Sequence, residues 1–398
     1  MQDKDSLKYK CNLYLILATA FMIPLHKMAM SPVIGLLFLS SLWNIKKPAK
    51  GDLSYLWVVG YFLILMLGYF LSSNKDGALS ELENNASFLL FPIIFAFSNL
   101  DFKSIFHKMM LYFVEGIILS IVIAIVFSTI KFFANADIHS FFYGEISPFH
   151  HTSYMAMYVS FGIAFLYYNG FHPKKSTLLS SYWNFTLITV FSIYVLLLLS
   201  KTGILITLSI HLFAIFYWII KHKKIKYGIL SLGLISTIII LSFTLSNSVR
   251  SRFSETFSAL NTEESTESST GIRLISWEVS WELFNEQPVL GTGTGDINQA
   301  MTAKFIEKGH NQLAFKNFNA HNQYLTTLTK SGIIGFLSLV LLLVIPSFRV
   351  KQQQHFIYVI FATIVALNFL TESVLQTQSG IVFIAFFTTF FIATLSKN

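Results

Sequence analysis

The sequence predicts an all-α polytopic membrane protein, with about twelve transmembrane helices and one long external loop between the ninth and tenth spans. The first observation is composition: 54% of the residues are hydrophobic and 12% are charged, about half the charged fraction of a soluble domain. An apolar share of this size over 398 residues is more than one soluble core buries, so much of it must face lipid. The second observation is that the apolar residues fall into runs, and the third is that positive charge is unevenly divided between the connecting segments.

Each apolar run is compared with the roughly 20 residues that cross a bilayer. The candidate spans are approximately 12–25, 29–43, 53–72, 86–98, 109–133, 151–168, 184–200, 202–220, 227–246, 332–347, 355–371 and 377–395. Only Lys201 separates the seventh span from the eighth, which predicts a very tight reversal. The first run has no small-residue cleavage site after it, so we interpret it as a retained anchor.

These spans divide the chain into three parts. An N-terminal membrane bundle of about nine spans occupies residues 1–246, an external loop with an interfacial helix occupies 247–331, and a C-terminal bundle of about three spans occupies 332–398.

Lysine and arginine predict the orientation. With the N-terminus in the cytoplasm, the majority of the 28 Lys and Arg residues lie in cytoplasmic connections, whereas most acidic residues lie on the other side. This positive-inside pattern accounts for the net charge of +8 without a nucleic-acid partner. We therefore expect both termini in the cytoplasm. The single cysteine, Cys11, excludes an internal disulfide.

The long loop has two parts of different composition. Thr262–Thr270 is rich in serine and glutamate, which predicts a poorly ordered segment. Gly271–Phe284 has a helical period, and its Arg273, Trp277 and Trp281 recur every four residues on one face. Two tryptophans and an arginine on one face are typical of a helix at the membrane interface.

The end of the loop holds the strongest candidate for chemistry. If this segment is helical, one continuous stripe contains His321, Leu325, Leu328, Gly332 and Gly335. The glycines would let the tenth span approach a neighbouring helix closely, and the stripe would direct His321 into the bundle at the outer surface. A histidine placed there can accept a proton near neutral pH. The alternative is a hydrogen-bonded structural histidine.

His321-Asn322, a gap of nine residues and Gly332-x-x-Gly335 resemble the signature of the O-antigen ligase and polymerase family of membrane glycosyltransferases. Three upstream segments also resemble parts of that family: Ser200-Lys201-Thr202-Gly203, Arg273-x-x-x-Trp277, and Pro288-x-x-Gly291-x-Gly293-x-Gly295. Family members commonly carry arginine where this chain has Lys201. The resemblance covers the architecture of the whole chain, but its specific motifs only about residues 200–335.

The resemblance implies a GT-C-like enzyme of the bacterial inner membrane with its active site on the periplasmic side. It implies a glycan donor on undecaprenyl pyrophosphate, a glycan acceptor such as lipid A-core, contact with membrane lipid, no cofactor and no metal. His321 would be catalytic as the general base, and Arg273 would be catalytic by stabilising the pyrophosphate leaving group with its bidentate fork. The candidate substrate-binding residues are Lys201, Arg250, Arg252, Asn322 and His151.

Purely structural roles are the alternative for these residues. Arg273 would serve as an interface anchor or form a salt bridge to Glu278 or another carboxylate, and Lys201 would be a simple turn residue. Glu115 and Glu372 are ionisable groups at or near membrane depth, where such groups mark functional sites, but the sequence pattern assigns neither a role.

Several functions stay open at this point. The motif does not separate a ligase, which transfers glycan to lipid A-core, from a polymerase, which joins lipid-linked repeat units. A protein O-oligosaccharyltransferase is a third member of the class. A secondary transporter or flippase would belong to another class, but transporters usually show related halves and charged sites near the midplane. Here the charge is concentrated in one external loop, which favours the transferase.

Overall fold

A computed structural model describes residues 6–43, 55–171, 181–223, 269–349 and 353–394. Within these ranges all regular structure is helical. The α-helices are α1 (Leu7–Met22), α2 (Met30–Leu42), α3 (Leu56–Leu71), α4 (Lys75–Asn85), α5 (Ser87–Phe97), α6 (Phe102–Asn135), α7 (Thr152–Phe171), α8 (Ser181–Leu197), α9 (Lys201–His222), α10 (Ser269–Glu286), α11 (Ile297–Glu307), α12 (Asn311–Phe315), α13 (Gln323–Arg349), α14 (Gln353–Phe369) and α15 (Gln378–Ala393). Short 3₁₀ helices occupy Lys27–Ala29, Ile138–Phe141, Tyr143–Ile146 and Val374–Gln376.

Every predicted span within the described ranges overlaps a helix, so the all-helical class is confirmed. The ninth predicted span, 227–246, lies outside the described residues. Among the described residues, three helices are long and apolar enough to cross a membrane: Phe102–Asn135, Lys201–Lys221 and Gln323–Phe348. The other apolar helices that resemble spans are shorter, so the number of crossings stays a prediction, as do the three-part division and the external position of the loop.

The described part of the predicted loop is largely folded. The sequence predicts its interfacial helix over 271–284, and α10 covers that segment. The short helices α11 and α12 are not predicted by the sequence pattern. Most of the serine- and glutamate-rich segment, 262–268, lies outside the described residues. Val279 and Leu283 of α10 pack with Met301 and Phe305 of α11, which gives this region a small apolar core of its own.

The main core is built around α7 and α15. Both helices are apolar around most of their circumference, and α15 is buried along nearly its whole length, as expected of helices at the centre of a bundle. Aromatic rings join them: the Phe161 and Phe387 centroids lie 5.0 Å apart, and those of Tyr158 and Phe383 lie 4.9 Å apart. Such offset and edge-to-face pairs add to the stability from burial.

The reversal between α8 and α9 is as tight as predicted. Leu199 takes the left-handed conformation, with φ of 49°, and Ser200 caps α9 by accepting a hydrogen bond from the Gly203 amide. Gly203 has no room for a side chain because a Cβ there would meet the Cβ of Ala156 on α7. This close approach fixes the start of α9 against the start of α7.

Candidate active site

Three separate parts of the chain meet at one carboxylate. Glu372 lies in the turn between α14 and α15, and its Oε1 accepts hydrogen bonds from Arg273 Nη2 on α10 and from Ser153 Oγ on α7, both at 3.0 Å. The other oxygen, Oε2, lies 3.4 Å from His321 Nδ1. The two residues that sequence analysis selected as catalytic, Arg273 and His321, therefore share one carboxylate as a neighbour.

Burial and charge act in opposite directions on this carboxylate. Only 8% of the Glu372 side chain is exposed, and this burial by itself would raise its pKa. The hydrogen bond with His321 and the positive charges of Arg273 and His151 outweigh burial, so the pKa of Glu372 lies below its ordinary value. Glu372 is therefore a stable anion behind Arg273 and His321, whose side chains remain 27% and 30% exposed.

The predicted stripe through His321 is wrong in two places. His321 precedes α13 and is not on it: its φ is 44°, and its amide donates to Asn319 Oδ1 at 2.9 Å. Asn319 Nδ2 in turn donates to Gln376 Oε1 at 2.7 Å. The histidine is thus held by a polar segment that bonds to the turn after Glu372, and not by helical periodicity.

The second departure is at Gly332, whose φ of 60° and ψ of −161° interrupt α13. The interruption leaves backbone groups on both sides of the break for other partners. They bind the glycine-rich segment after α10: Thr292 N donates to Thr329 O, Gly293 N donates to Lys330 O, and Ile333 N donates to Pro288 O. The predicted stripe requires a continuous helix. At Gly332 the helical hydrogen bonds are replaced by bonds to the 288–293 segment, so the helix is interrupted there.

The glycines of the 288–295 segment are explained by close packing. Gly291 and Gly293 have φ of 71° and 101°, a conformation that residues with side chains rarely adopt. A Cβ at Gly291 would meet the backbone of Lys330, and one at Gly295 would meet the backbone of Asn74. These contacts explain why glycine occupies these positions next to the break in α13.

Asn322 has a role that the structure makes plain. Its Oδ1 accepts a hydrogen bond from the Leu325 amide at 3.1 Å, so Asn322 caps α13. Next to it, Gln323 Oε1 accepts from the Leu375 amide at 2.7 Å, and Thr326 Oγ1 lies 2.8 Å from Ser373 Oγ. The first turn of α13 is therefore tied to the residues that directly follow Glu372.

Two predicted substrate-binding residues lie beside this cluster. Lys201 begins α9, and the hydroxyl of the next residue, Thr202, lies 2.8 Å from that of Thr371, the neighbour of Glu372. His151 is exposed and precedes α7, and its Nδ1 accepts from the Ser153 amide at 3.4 Å. The other two, Arg250 and Arg252, lie outside the described residues.

His150 differs from His151, its neighbour. It is buried, and its Nδ1 lies 2.9 Å from Ser379 Oγ. Burial, helped by the positive charges of Lys27 and His26, lowers the pKa of His150 to about 3, so it is neutral at physiological pH. His150 therefore packs the start of α7 against α15.

The alternative partner expected for Arg273, Glu278, is engaged elsewhere. Glu278 and Glu282 both accept from Lys308 Nζ at 2.5 Å, which joins α10 to the end of α11. Arg273 does form a salt bridge, but with Glu372, ninety-nine positions away. Nothing in the local sequence connects the two, and the only signal is the presence of a carboxylate in an apolar region. Ser153, Asn319 and Gln376 have no sequence signal at all.

A family model described as O-Antigen ligase matches residues 185–340. The matched region contains Lys201, Arg273 and His321, whereas Glu372 lies beyond it. An uncharacterized protein of Haemophilus influenzae is 25% identical over 304 residues, which are 72% of this chain and 70% of that protein. This match agrees with the resemblance found in the sequence, because it covers the part of the chain that carries the quoted motifs.

Proposed function

We propose that this protein is a membrane glycosyltransferase that moves a glycan from undecaprenyl pyrophosphate to an acceptor hydroxyl, with lipid A-core as the acceptor. The observation that carries the proposal is the pairing of Arg273 and His321 around one buried carboxylate. A guanidinium and an imidazole, each nearly one-third exposed, supply the two functions that such a transfer needs.

The first function is to stabilise the leaving group. The bond between the anomeric carbon and the pyrophosphate oxygen breaks, and the pyrophosphate leaves with the bonding electrons. Arg273 binds two of its oxygens with a planar fork, and its charge offsets the negative charge that develops. Lys201 adds a second positive charge from the start of α9, as a point charge without that planar geometry.

The second function is to accept the proton of the acceptor. The hydroxyl oxygen attacks the anomeric carbon, and its proton passes to the imidazole of His321. Because Nδ1 faces Glu372, Nε2 is the nitrogen that can meet the hydroxyl. General-base catalysis of this kind contributes about 10²–10⁴-fold to the rate.

The remaining candidates take supporting roles. Asn322 caps α13 and so holds the segment that carries His321, while the exposed His151 contacts the substrate from the start of α7. Arg250 and Arg252 supply further positive charge for the pyrophosphate. The site faces the periplasm from the inner membrane, both termini are cytoplasmic, and neither a metal nor a cofactor takes part.

A transfer assay tests the reaction class. Purified protein in lipid nanodiscs, without any ion gradient, is mixed with a glycan on undecaprenyl pyrophosphate and with lipid A-core. Appearance of a new glycosidic bond, followed by gel shift and mass spectrometry, is the expected result. Movement of the lipid-linked glycan across a vesicle membrane without bond formation would instead indicate a flippase.

Deletion in the native host tests the acceptor. Loss of a ligase leaves finished polymer on the lipid carrier and lipid A-core without polymer. Loss of a polymerase leaves lipid A-core capped with one repeat unit. This result would show that the acceptor is a second lipid-linked repeat unit and not lipid A-core.

A further inference from the structure

Glu372 contacts Arg273 and His321 unequally. Oε1 receives two donors at ordinary hydrogen-bond length, from Arg273 and Ser153. Oε2 has His321 Nδ1 at 3.4 Å, which is longer than the 2.7–3.2 Å typical of an N–H···O hydrogen bond. The carboxylate is therefore bound mainly to the residue proposed to hold the donor, and only loosely to the residue proposed to act as the base.

We propose that Glu372 is a positioning residue that makes the base competent only after Arg273 has engaged the donor pyrophosphate. The proposal rests on the function proposed above. In the arrangement described, Glu372 neutralises Arg273. When the guanidinium turns to the pyrophosphate, Glu372 loses the hydrogen bond from Arg273. It then accepts its strongest hydrogen bond from Nδ1–H of His321.

The exchange has a physical cause. A pyrophosphate ester carries more negative charge than one carboxylate and offers several oxygens to the guanidinium fork, so it competes successfully for Arg273. The carboxylate that is left is 8% exposed and cannot recover its hydrogen bonds from water. Among the described residues, its remaining hydrogen-bond partners are Ser153, which is already bound, and His321, whose contact has room to shorten.

A shorter bond to Nδ1–H has a defined effect on His321. It fixes the tautomer that carries its proton on Nδ1, and this leaves the lone pair on Nε2 for the acceptor hydroxyl. The negative charge also stabilises the imidazolium that forms when the proton is taken. Activation of the acceptor therefore follows donor binding.

Glu372 is an anion under the conditions of the reaction. The groups that face it are Arg273 from α10, His321 before α13, and His151 and Ser153 at the start of α7. Burial opposes ionisation, but the hydrogen bond from His321 and the charges of Arg273 and His151 prevail and lower the pKa of Glu372. It can therefore accept from either partner without first losing a proton.

The test separates donor binding from the transfer step in Glu372→Gln. Because the variant no longer competes for Arg273, its affinity for undecaprenyl pyrophosphate should be unchanged or up to about fivefold tighter. Its single-turnover rate with saturating donor and acceptor should fall at least about tenfold. Ser153→Ala, which removes a neutral donor to the same oxygen, is the control and should change both quantities much less. Equal losses of affinity and rate would show that Glu372 is merely structural and would overturn the proposal.

A spectroscopic arm tests the inference independently of glycosyl transfer. In protein labelled with ¹⁵N-histidine, undecaprenyl pyrophosphate should move the His321 signals toward the Nδ1–H tautomer in the wild type but not in Glu372→Gln. The His321→Gln spectrum assigns the signals. If the wild type makes no glycosidic bond yet shows this shift, the proposed function fails and the coupling stands. If the bond forms but the tautomer does not respond to the carrier, the coupling fails and the function stands.

Discussion

Replacement of Gly332 by alanine is the perturbation whose consequences the structure defines best. Gly332 has φ of 60° and ψ of −161°, a region that is essentially restricted to glycine. A Cβ at this position would meet the backbone carbonyl of Val289 and would lie 2.7 Å from the Leu290 amide nitrogen. Neither contact involves the end of a flexible side chain, so the backbone must move.

The expected cost follows from two contributions. A side chain in this conformation costs about 1–3 kcal/mol. Displacing 288–293 also weakens three hydrogen bonds at the break in α13: Thr292 N to Thr329 O at 2.8 Å, Ile333 N to Pro288 O at 2.9 Å, and Gly293 N to Lys330 O at 3.1 Å. A buried backbone group left without a partner costs about 1–3 kcal/mol, so loss of even one brings the total to roughly 2–6 kcal/mol.

Thermal unfolding in nanodiscs, followed by tryptophan fluorescence, measures the loss of stability. A transfer assay on the same protein measures the loss of activity. Gly332→Ala should lower both the melting temperature and the rate, because the first half of α13 is capped by Asn322, the neighbour of His321. The matched control is Gly60→Ala on α3, where an added methyl group would have no neighbour within 4 Å and helix propensity favours alanine. A Gly332→Ala protein as stable as the control would refute the interrupted helix.

Three further predictions concern charge and topology. Arg273→Ala should reduce the transfer rate by about 10²–10³-fold, and Arg273→Lys should recover part of that rate. Lys201→Arg should keep the wild-type rate. Single-turnover assays measure the rate of each variant. Because the pKa of Glu372 is lowered, its stabilisation is present above the ordinary value of 4.5 and is lost only as the pH falls through the lower folded value. The difference in melting temperature between wild type and Glu372→Gln should therefore stay constant down to about pH 5 and shrink below it. Phe315 is 89% exposed. Once Cys11 is replaced, Phe315→Cys should react with an impermeant thiol reagent in intact spheroplasts. Protection of this cysteine until lysis would show that the predicted orientation is wrong.

The sequence is most informative where one helix explains the pattern. Apolar runs predict the helices, and the four-residue period from Arg273 predicts α10, because such patterns depend on local geometry alone. The tight reversal at Lys201 is predictable for the same reason. The short helices that the pattern misses, such as α4, are too polar to stand out from loops by hydropathy.

The site is less predictable because long-range contacts build it. Arg273 and Glu372 are ninety-nine positions apart, and only the folding of α10 against α13 and of α14 against α7 brings them together. The predicted stripe through His321 is wrong because the residues around Gly332 form hydrogen bonds with the 288–293 segment instead of helical ones. The spacing of residues along the sequence does not reveal such bonds. The glycines signal that something packs closely there, but not that the packing breaks the helix.

The role of His321 as the base is tested by measuring the rate of the chemical step with and without its imidazole. Wild type, His321→Ala and His321→Gln are compared in single-turnover transfer with saturating lipid-linked donor and acceptor, alongside binding of undecaprenyl pyrophosphate. Both variants should lose about 10²–10⁴-fold in rate, with carrier binding nearly intact, because Arg273 and Lys201 hold the phosphate. Unchanged rates in both variants would show that His321 is a packing residue and not the base.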